Sequence, residues 1–358
     1  MNSLENQVPS SSIDDFTQKI RDLITELRQT KPDDIKFLVP SHADLINTIF
    51  SQYTNFVNRQ KNSKPKAEII FLAAPTGAGK DSLVRRIKLA NPNTQYALLN
   101  MDMFRHYHNE IIGSPTRIPD EHYASTTNQT SYEIYFIIQE LILREFPGTN
   151  VIITGTMRNL EWVREIINRY KSDPNTDYTA TLVALPVPSK DSAFSIFARY
   201  LRKVEALLKE QSAPDNPHSQ RSLRYTSLKY HDNTTSVFAS NIKAVEEELH
   251  SAPTTSTFDR IKVHRRAFDI TNPNENTLLY DSTNPHPSES AFFHVSRIIS
   301  SKPTITLEKI QELFIFLDSE MAKTYLTEQG LYDTIKQGLT EIKSYINQIT
   351  LEENSNSR

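Results

Sequence analysis

The stretch FLAAPTGAGKDSL, residues 71–83, constrains the fold more than any other part of the sequence. It follows a short apolar run and precedes a segment in which apolar residues have helical spacing. The chain contains only 7 glycines in 358 residues, and Gly77 and Gly79 both lie in this turn. Glycine is favoured where the backbone adopts conformations that other residues resist. The stretch therefore predicts a strand, a tight turn and a helix in direct succession.

The turn is typical of a phosphate-binding loop. In such loops the N–H groups of the backbone and of a helix N-terminus hold the phosphates, and a lysine at the start of the helix neutralises them. Lys80 occupies the lysine position, and Ala74 replaces the usual first glycine. The nucleotide-binding residues predicted on this basis are Pro75, Thr76, Gly77, Ala78, Gly79, Lys80, Asp81 and Ser82. The alternative interpretation is an ordinary junction between a strand and a helix.

Asp81 stands where such loops carry a serine or threonine, whose hydroxyl group ligates Mg²⁺. A carboxylate is also a good ligand for Mg²⁺. We therefore expect Asp81 to ligate the metal, directly or through a water molecule. Two alternatives stay open. Either Ser82 supplies a hydroxyl group instead, or Asp81 only stabilises the start of its helix.

Short apolar runs alternate with helical patterns from residue 67 onward. The predicted strands are 67–72, 96–100, 150–154, 178–186, 260–264 and 277–281, and the predicted helices between them include 81–90, 130–146 and 160–170. This alternation predicts an α/β fold of the P-loop NTPase type, with a parallel sheet flanked by helices. In such a fold the ligand binds at the carboxyl ends of the strands.

Amphipathic helices are predicted on both sides of this region. They cover 12–30 and 41–60 before it, and two more follow Pro303, the first running past Met321 and the second ending near Ile346. The last eight residues, LEENSNSR, are predicted to be disordered. The predicted organisation is an N-terminal helical extension over 1–64, a kinase-like domain over 65–300 and a C-terminal helical extension over 301–358.

Composition excludes several classes of function. The chain has no cysteine, so it has no disulfides, thiolate metal sites or cysteine nucleophiles. Its net charge of −3 gives no general attraction to nucleic acid or membrane. No apolar run approaches the ~20 residues that a bilayer requires. Without a recognisable signal pattern, a cytoplasmic location is expected, with export to a host cell as the alternative. No Ser–His–Asp arrangement can be recognised from the sequence.

Several charged residues suit phosphoryl transfer, which needs mainly positioning and neutralisation of charge. Asp102 follows the second predicted strand, where a general base for a hydroxyl group would lie; its alternative role is a helix cap. Glu133 lies at the start of a predicted helix. Its carboxylate is either a partner of the helix dipole or a contact to the substrate. Arg199 and Arg224 are either solvated surface residues or phosphate ligands.

These segments, in this order, resemble the zeta toxins. The zeta toxins are P-loop kinases of bacterial toxin–antitoxin systems that phosphorylate UDP-N-acetylglucosamine at its 3′-hydroxyl group. The resemblance covers about 67–300. It rests on the segments PTGAGKDSL, NMDMFRHYH, TSYEIYF, ITGTMRN, VALPVP, FARYL, RYTSLKYHD and FDRIKVHRR. It implies ATP (or GTP) and Mg²⁺ as cofactors and a protein antitoxin or chaperone as a partner.

The resemblance also implies roles for individual residues. Lys80 matches the phosphate-binding lysine, and Asp102 matches the base that accepts the proton of the sugar hydroxyl group. Arg199 and Arg224 match lid arginines that hold the phosphates. The catalytic set implied is thus Asp102, Lys80, Arg199 and Arg224, and the substrate-binding set is Glu133, Thr154 and Arg158.

Two departures from the family pattern leave the acceptor open. Asp81 replaces the hydroxyl residue, and Thr154 replaces a glutamate that contacts the substrate. The expected activity is ATP-dependent phosphorylation of a hydroxyl group on a nucleotide sugar or nucleotide-like small molecule, by a toxin or effector. The alternatives are a kinase of NAD or another nucleotide, and a nucleotide-binding module without catalysis. A polynucleotide kinase would need a basic groove, and the slightly acidic chain offers no obvious one.

Overall fold

The computed structural model describes residues 10–53, 66–114, 118–211, 223–266, 277–284 and 289–356. Within these ranges, six strands form one sheet: β1 Lys66–Ala73, β2 Tyr96–Leu99, β3 Asn150–Gly155, β4 Asp177–Ala184, β5 Arg260–His264 and β6 Leu278–Asp281. Their order is β2-β3-β1-β4-β5-β6. All neighbouring strands are parallel except β5 and β6, which are antiparallel.

The described ranges contain thirteen α-helices. They are α1 Ser10–Thr30, α2 Ala43–Ser51, α3 Lys80–Ala90, α4 His108–Ile112, α5 Asp120–Thr126, α6 Asn128–Glu145, α7 Leu160–Lys171, α8 Ser189–Gln211, α9 Leu228–Ser251, α10 Ala291–Ile299, α11 Leu307–Leu317, α12 Glu320–Glu328 and α13 Tyr332–Asn356. A mostly parallel sheet flanked by helices confirms the predicted fold class. None of the described helices is long and apolar enough to cross a membrane.

The central strand β1 is buried on both faces, as expected for a parallel strand covered by helices. Its side chains alternate between two cores. Ile69 and Phe71 belong to a large core that includes α1, α2, α6, α7, α9 and α10, whereas Ile70 and Leu72 belong to a smaller core with α3. The N-terminal helices α1 and α2 therefore share the main core of the sheet.

The C-terminal helices build a core of their own against α8. Phe197 and Leu201 of α8 pack with Ile310 of α11, Leu326 of α12 and Leu339 of α13. Since α8 lies between β4 and β5 in the sequence, this core joins the C-terminal helices to the α/β region.

Two predictions for the C-terminal region are wrong. The region after Pro303 contains three helices rather than two, because the chain turns at Asp318 and Ser319 before α12 begins. The tail predicted to be disordered is helical as far as Asn356, since α13 continues past Ile346. The helix predicted over 41–60 ends at Ser51 as α2, and 54–65 lie outside the described residues.

The strand order places a crevice at the centre of the sheet. The connection after β1 leads to β2 on one side, and the connection after β4 leads to β5 on the other side. Connections that diverge in this way leave a crevice at the carboxyl ends of the strands, and ligands of open α/β sheets bind there. The loop after β1 lies at this position.

Candidate active site

The loop between β1 and α3 has the backbone of a phosphate-binding turn. Gly77 (φ 85°) and Gly79 (φ 91°) both adopt the left-handed conformation that favours glycine. Lys80 begins α3, and its Nζ donates to the carbonyl oxygens of Ala74 (3.2 Å) and Pro75 (3.4 Å). The first N–H groups of an α-helix have no acceptor within the helix. The loop therefore presents N–H donors and an ammonium group side by side.

Lys80 lies in a cationic environment. Burial, together with the charges of Arg199 and Arg224, lowers the pKa of Lys80 to about 8, although Asp102 and Asp81 act in the opposite direction. Desolvation and like charges both disfavour the charged form of an amine. A bound polyanion would offset both effects, so the loop has the electrostatics of an anion site.

Helix α8 passes directly over the loop at Gly77. A Cβ atom on Gly77 would lie 2.3 Å from the carbonyl oxygen of Ser192, so only glycine permits this approach. The Ser192 hydroxyl lies 2.7 Å from Nε2 of His231, whose Nδ1 lies 2.9 Å from Asp232. This Ser–His–Asp chain was not recognised from the sequence. Ser192 and His231 are both 0% exposed, so Ser192 cannot attack a substrate, and the chain instead ties α8 to α9.

Asp102 lies in a 3-10 helix, Met101–Tyr107, that follows β2. The side chain of Asn100 accepts the N–H of Asp102 (3.0 Å), so Asn100 caps this helix and the Asp102 carboxylate is available for other contacts. The Asp102 carboxylate forms ion pairs with Nε of Arg105 (2.9 Å) and with Nη1 of Arg224. Burial raises the pKa of Asp102, but Arg224 and Arg105 outweigh this effect and bring the pKa to about 2.

Arg105 is a site residue that sequence reasoning missed. It is only 7% exposed. Its Nη1 donates to the carbonyl oxygen of Ala124 (2.7 Å) and to Thr127 (3.0 Å), while its Nη2 donates to Asn128 (3.3 Å). These contacts fix the guanidinium group that holds one oxygen of Asp102. The sequence did contain a signal for this pair. Asp102 and Arg105 are three residues apart, and this spacing places both side chains on one face of a 3-10 helix.

Arg224 and α8 complete a group of cations around Lys80. Among the described residues, no group accepts a hydrogen bond from the buried Nε of Arg224, which leaves this donor for a ligand. The pKa of Arg199 is lowered by desolvation and by the charge of Arg224. Lys203, one helical turn after Arg199, has its pKa lowered by desolvation and by the same two arginines. Lys203 was not identified from the sequence.

Glu133 lies in a different environment from the one that the resemblance implies. It is 0% exposed. Its two carboxyl oxygens accept the backbone N–H groups of Lys36 (2.8 Å), Phe37 (2.9 and 3.2 Å) and Leu38 (2.8 Å). The structure thus brings Glu133 together with the segment between α1 and α2, and the carboxyl group is occupied by these contacts.

Thr154 and Arg158 lie at the carboxyl end of β3. Thr154 pairs with Leu72 of β1 and is partly buried. Arg158 stacks over the ring of Tyr230, with 4.6 Å between its Cζ atom and the ring centroid. The preceding residue, Met157, has a positive φ of 56°, and its carbonyl oxygen accepts a hydrogen bond from Asn241 (2.7 Å). Backbone strain of this kind persists where the surroundings hold it, often at ligand sites.

A small open cavity lies beside the loop. It is lined by Gly79, Ser82, Leu83, Arg86, Leu185, Arg265, Arg266 and Thr277. Asp81 is exposed in the first turn of α3. In the described part of the chain, no three histidine or acidic residues cluster as a metal site. Mg²⁺ in phosphate sites commonly uses one or two carboxylates together with phosphate oxygens, so the metal role of Asp81 stays a prediction.

Comparisons with known proteins give one family match and several similar solved structures. The family model "Zeta toxin" matches residues 53–284. A structure from the PezAT toxin–antitoxin system of Streptococcus pneumoniae is similar at 17% identity and a TM-score of 0.50, over 80% of this chain and 96% of that one. An AvrRxo1-ORF1:ORF2 complex matches at 12% identity and a TM-score of 0.47, over 85% and 89% of the two chains. A second AvrRxo1-ORF1:ORF2 structure, which contains ATP, matches at 11% identity and a TM-score of 0.48, over 96% of each chain.

No curated protein matches this chain by sequence. At these identities the likeness to solved structures shows the fold alone. The family model, however, spans more than half of the chain. The protein is therefore a member of the zeta toxin family.

Proposed function

We propose that the protein is an ATP-dependent phosphotransferase that phosphorylates a hydroxyl group of a nucleotide sugar or nucleotide-like small molecule. The observation that carries this proposal is that the loop with Lys80, the carboxylate of Asp102 and the guanidinium group of Arg224 lie close together at the carboxyl ends of the strands. Lys80 lies in the loop, and the Asp102–Arg224 ion pair is close enough to shift its pKa. Membership of a family of kinase-like toxins supports the same activity.

The loop would hold the triphosphate of ATP. Lys80 and the N–H groups at the start of α3 would neutralise the outer phosphates. The exposed carboxylate of Asp81 is a hard oxygen ligand at the same helix terminus, and it would hold Mg²⁺ together with phosphate oxygens. Bound Mg²⁺ would neutralise charge on the transferring group. The nucleoside would lie beside the loop, on the side of the cavity lined by Arg86 and Arg266.

Asp102 would act on the acceptor. With a pKa of about 2 it is a weak base while Arg224 holds it. The phosphates compete for Arg224, and loss of that contact raises the pKa of Asp102 and frees one of its oxygens. Asp102 then accepts the proton of the acceptor hydroxyl group as the hydroxyl oxygen bonds to the γ-phosphorus. The bond from that phosphorus to the bridging oxygen breaks, and ADP leaves.

The acceptor would bind at the carboxyl end of β3. Arg158 stacked on Tyr230 offers a cation and an aromatic face, which suits an anionic, base-containing molecule. Two observations favour an acceptor other than the sugar nucleotide of the family. Thr154 provides a hydroxyl group in place of a carboxylate, and the carboxyl group of Glu133 is occupied by the segment 36–38. NAD or another nucleotide is therefore the second candidate acceptor.

Metabolite mass spectrometry tests the activity. Cells expressing the wild-type protein and cells expressing Asp102→Asn would be extracted and compared. We expect one or more metabolites that gain a phosphoryl group only with the wild type, and these identify the acceptor. Identical metabolite profiles, with ATP still bound by both purified proteins, would instead establish a binding module without catalysis.

We also propose that this activity is toxic and is controlled by a protein partner, in the cytoplasm of the producing cell or of a host cell. Support comes from the family and from a structural neighbour described as part of a toxin–antitoxin system. Growth arrest on expression of the wild type, relieved by Asp102→Asn, is the expected result. Equal growth with both proteins would contradict a toxic activity.

A further inference from the structure

Asp120 is a buried acidic residue outside the loop and the Asp102 cluster. It is the first residue of α5 and is 0% exposed. A buried carboxyl group costs free energy unless it receives hydrogen bonds, so its partners indicate what the residue holds together.

Three separate parts of the chain donate to the Asp120 carboxyl group. Oδ2 accepts from the hydroxyl groups of Tyr200 in α8 (2.7 Å) and Tyr325 in α12 (2.8 Å). Oδ1 accepts from the backbone N–H of Leu223 (2.7 Å). The extension makes a further contact, because Oε1 of Gln329 accepts the backbone N–H of Asp120 (3.4 Å).

Two of these partners are sequence neighbours of the proposed phosphate ligands. Tyr200 follows Arg199, and Leu223 precedes Arg224. On a helix, consecutive side chains point about 100° apart. With Tyr200 anchored on the inner side of α8, Arg199 lies on the exposed side, where its charge acts on Lys80. Anchoring the N–H of Leu223 fixes the backbone immediately before the residue that pairs with Asp102.

We propose that Asp120 is a positioning residue for both arginines, and that the C-terminal helices support it through Tyr325. This inference rests on the proposed function, because it concerns the arginines assigned to the phosphates. The edge-to-face contact of Tyr200 with Tyr225, at 5.3 Å between ring centroids, joins the same two segments. The C-terminal extension is then part of the catalytic architecture, since it supplies one of the donors that fix the carboxyl group.

The test compares Tyr325→Phe and Asp120→Asn with Tyr332→Phe. Tyr332 also lies in the extension, but its hydroxyl group donates to Asp318, so its loss controls for a missing hydroxyl group. Two properties are measured: hydrogen exchange of the Leu223 amide and phosphoryl transfer with saturating ATP. The exchange measurement reports the anchoring directly and does not depend on activity.

We expect faster exchange of the Leu223 amide in Tyr325→Phe and still faster exchange in Asp120→Asn, with Tyr332→Phe like the wild type. We expect kcat to fall roughly tenfold in Tyr325→Phe and about a hundredfold in Asp120→Asn, with smaller changes in KM for ATP, because misplaced groups mainly impair the reaction step. Unchanged exchange and unchanged kcat in both variants would overturn the proposal. Faster exchange of the Leu223 amide in both variants, together with no transferase activity in the wild type, would support the anchoring and refute the proposed function.

Discussion

At the scale of single residues, the proposed chemistry depends on competition between Asp102 and bound phosphates for Arg224. Asp102 is 44% exposed at its side chain and is held by two guanidinium groups. Arg105 is fixed by buried contacts, whereas Arg224 has a buried Nε without an acceptor among the described residues. We infer that Arg105 keeps Asp102 in place and that Arg224 is the partner that exchanges when phosphates bind.

Replacing Asp102 separates transfer from binding. Asp102→Asn keeps the shape of the side chain but removes the base and the ion pair, so we expect kcat to fall about 10³-fold. The affinity for ATP should be unchanged or higher, because Arg224 no longer has to leave a carboxylate. Asp333→Asn, on the exposed side of α13, changes the net charge equally and serves as the control. Steady-state kinetics with an identified acceptor would measure this, and normal turnover in Asp102→Asn would exclude the base.

The pKa of Lys80 predicts how ATP binding depends on pH. The pKa of about 8 means that Lys80 loses its proton in the free protein above pH 8, whereas a bound triphosphate favours the ammonium form. Binding near pH 9 should therefore take up a proton, and affinity should fall as the pH rises beyond 8. Calorimetry in buffers of different ionisation enthalpy measures the uptake. Lys80→Arg, which stays charged, should bind without proton uptake; the same uptake in both proteins would contradict the assignment.

At the scale of secondary-structure elements, the close approach of α8 to the loop depends on Gly77. Gly77 and Gly113 both have positive φ, but a Cβ atom on Gly113 would meet nothing within 4 Å. Gly113→Ala should cost about 1 kcal/mol of unfolding free energy from the left-handed backbone alone. Gly77→Ala adds the clash with the carbonyl oxygen of Ser192, so it should lower the free energy of unfolding clearly more than Gly113→Ala does. It should also weaken ATP binding. Urea denaturation of both variants checks this, and equal costs would contradict the close approach.

The segment between α1 and α2 depends on Glu133. Removing the charge from a buried carboxyl group that accepts several N–H groups should cost about 2–3 kcal/mol, so we expect Glu133→Gln to lower the free energy of unfolding by that amount. Glu145→Gln, which removes an exposed pair with Lys19, should cost less than about 1 kcal/mol. A stable Glu133→Gln variant with a raised KM for the acceptor would instead support the substrate contact that the resemblance implies.

Local patterns in the sequence predicted much of this architecture. The six strands and the loop follow from apolar runs and from two glycines beside Lys80, because these signals lie within a few residues. Tyr325 and the partners of Glu133 could not be predicted in the same way, because their roles come from contacts with residues 95 to 205 positions away, which no local pattern specifies. Arg105 was missed although its spacing of three residues from Asp102 is a local signal. The break between α11 and α12 was missed because the short turn at Asp318 and Ser319 leaves the apolar spacing nearly continuous.

At the scale of the whole molecule, the two terminal extensions contact different parts of the central α/β region. The N-terminal helices share the main core of the sheet, and the segment between them donates hydrogen bonds to Glu133. The C-terminal helices pack on α8, and Tyr325 of α12 donates a hydrogen bond to Asp120. The proposed positioning of Arg199 and Arg224 by Asp120 therefore links the cationic group around Lys80 to the C-terminal helices.

The decisive experiment is a titration of the purified protein with Mg·ATP by calorimetry, at two temperatures. It shows whether the loop around Lys80 binds a triphosphate independently of Asp102, which is proposed to act afterwards. The wild type and Asp102→Asn should both bind, and Lys80→Ala should lose at least about 1.4 kcal/mol, a tenfold change in affinity. An absence of binding by the wild type at both temperatures, or equal affinity in Lys80→Ala, would contradict the account.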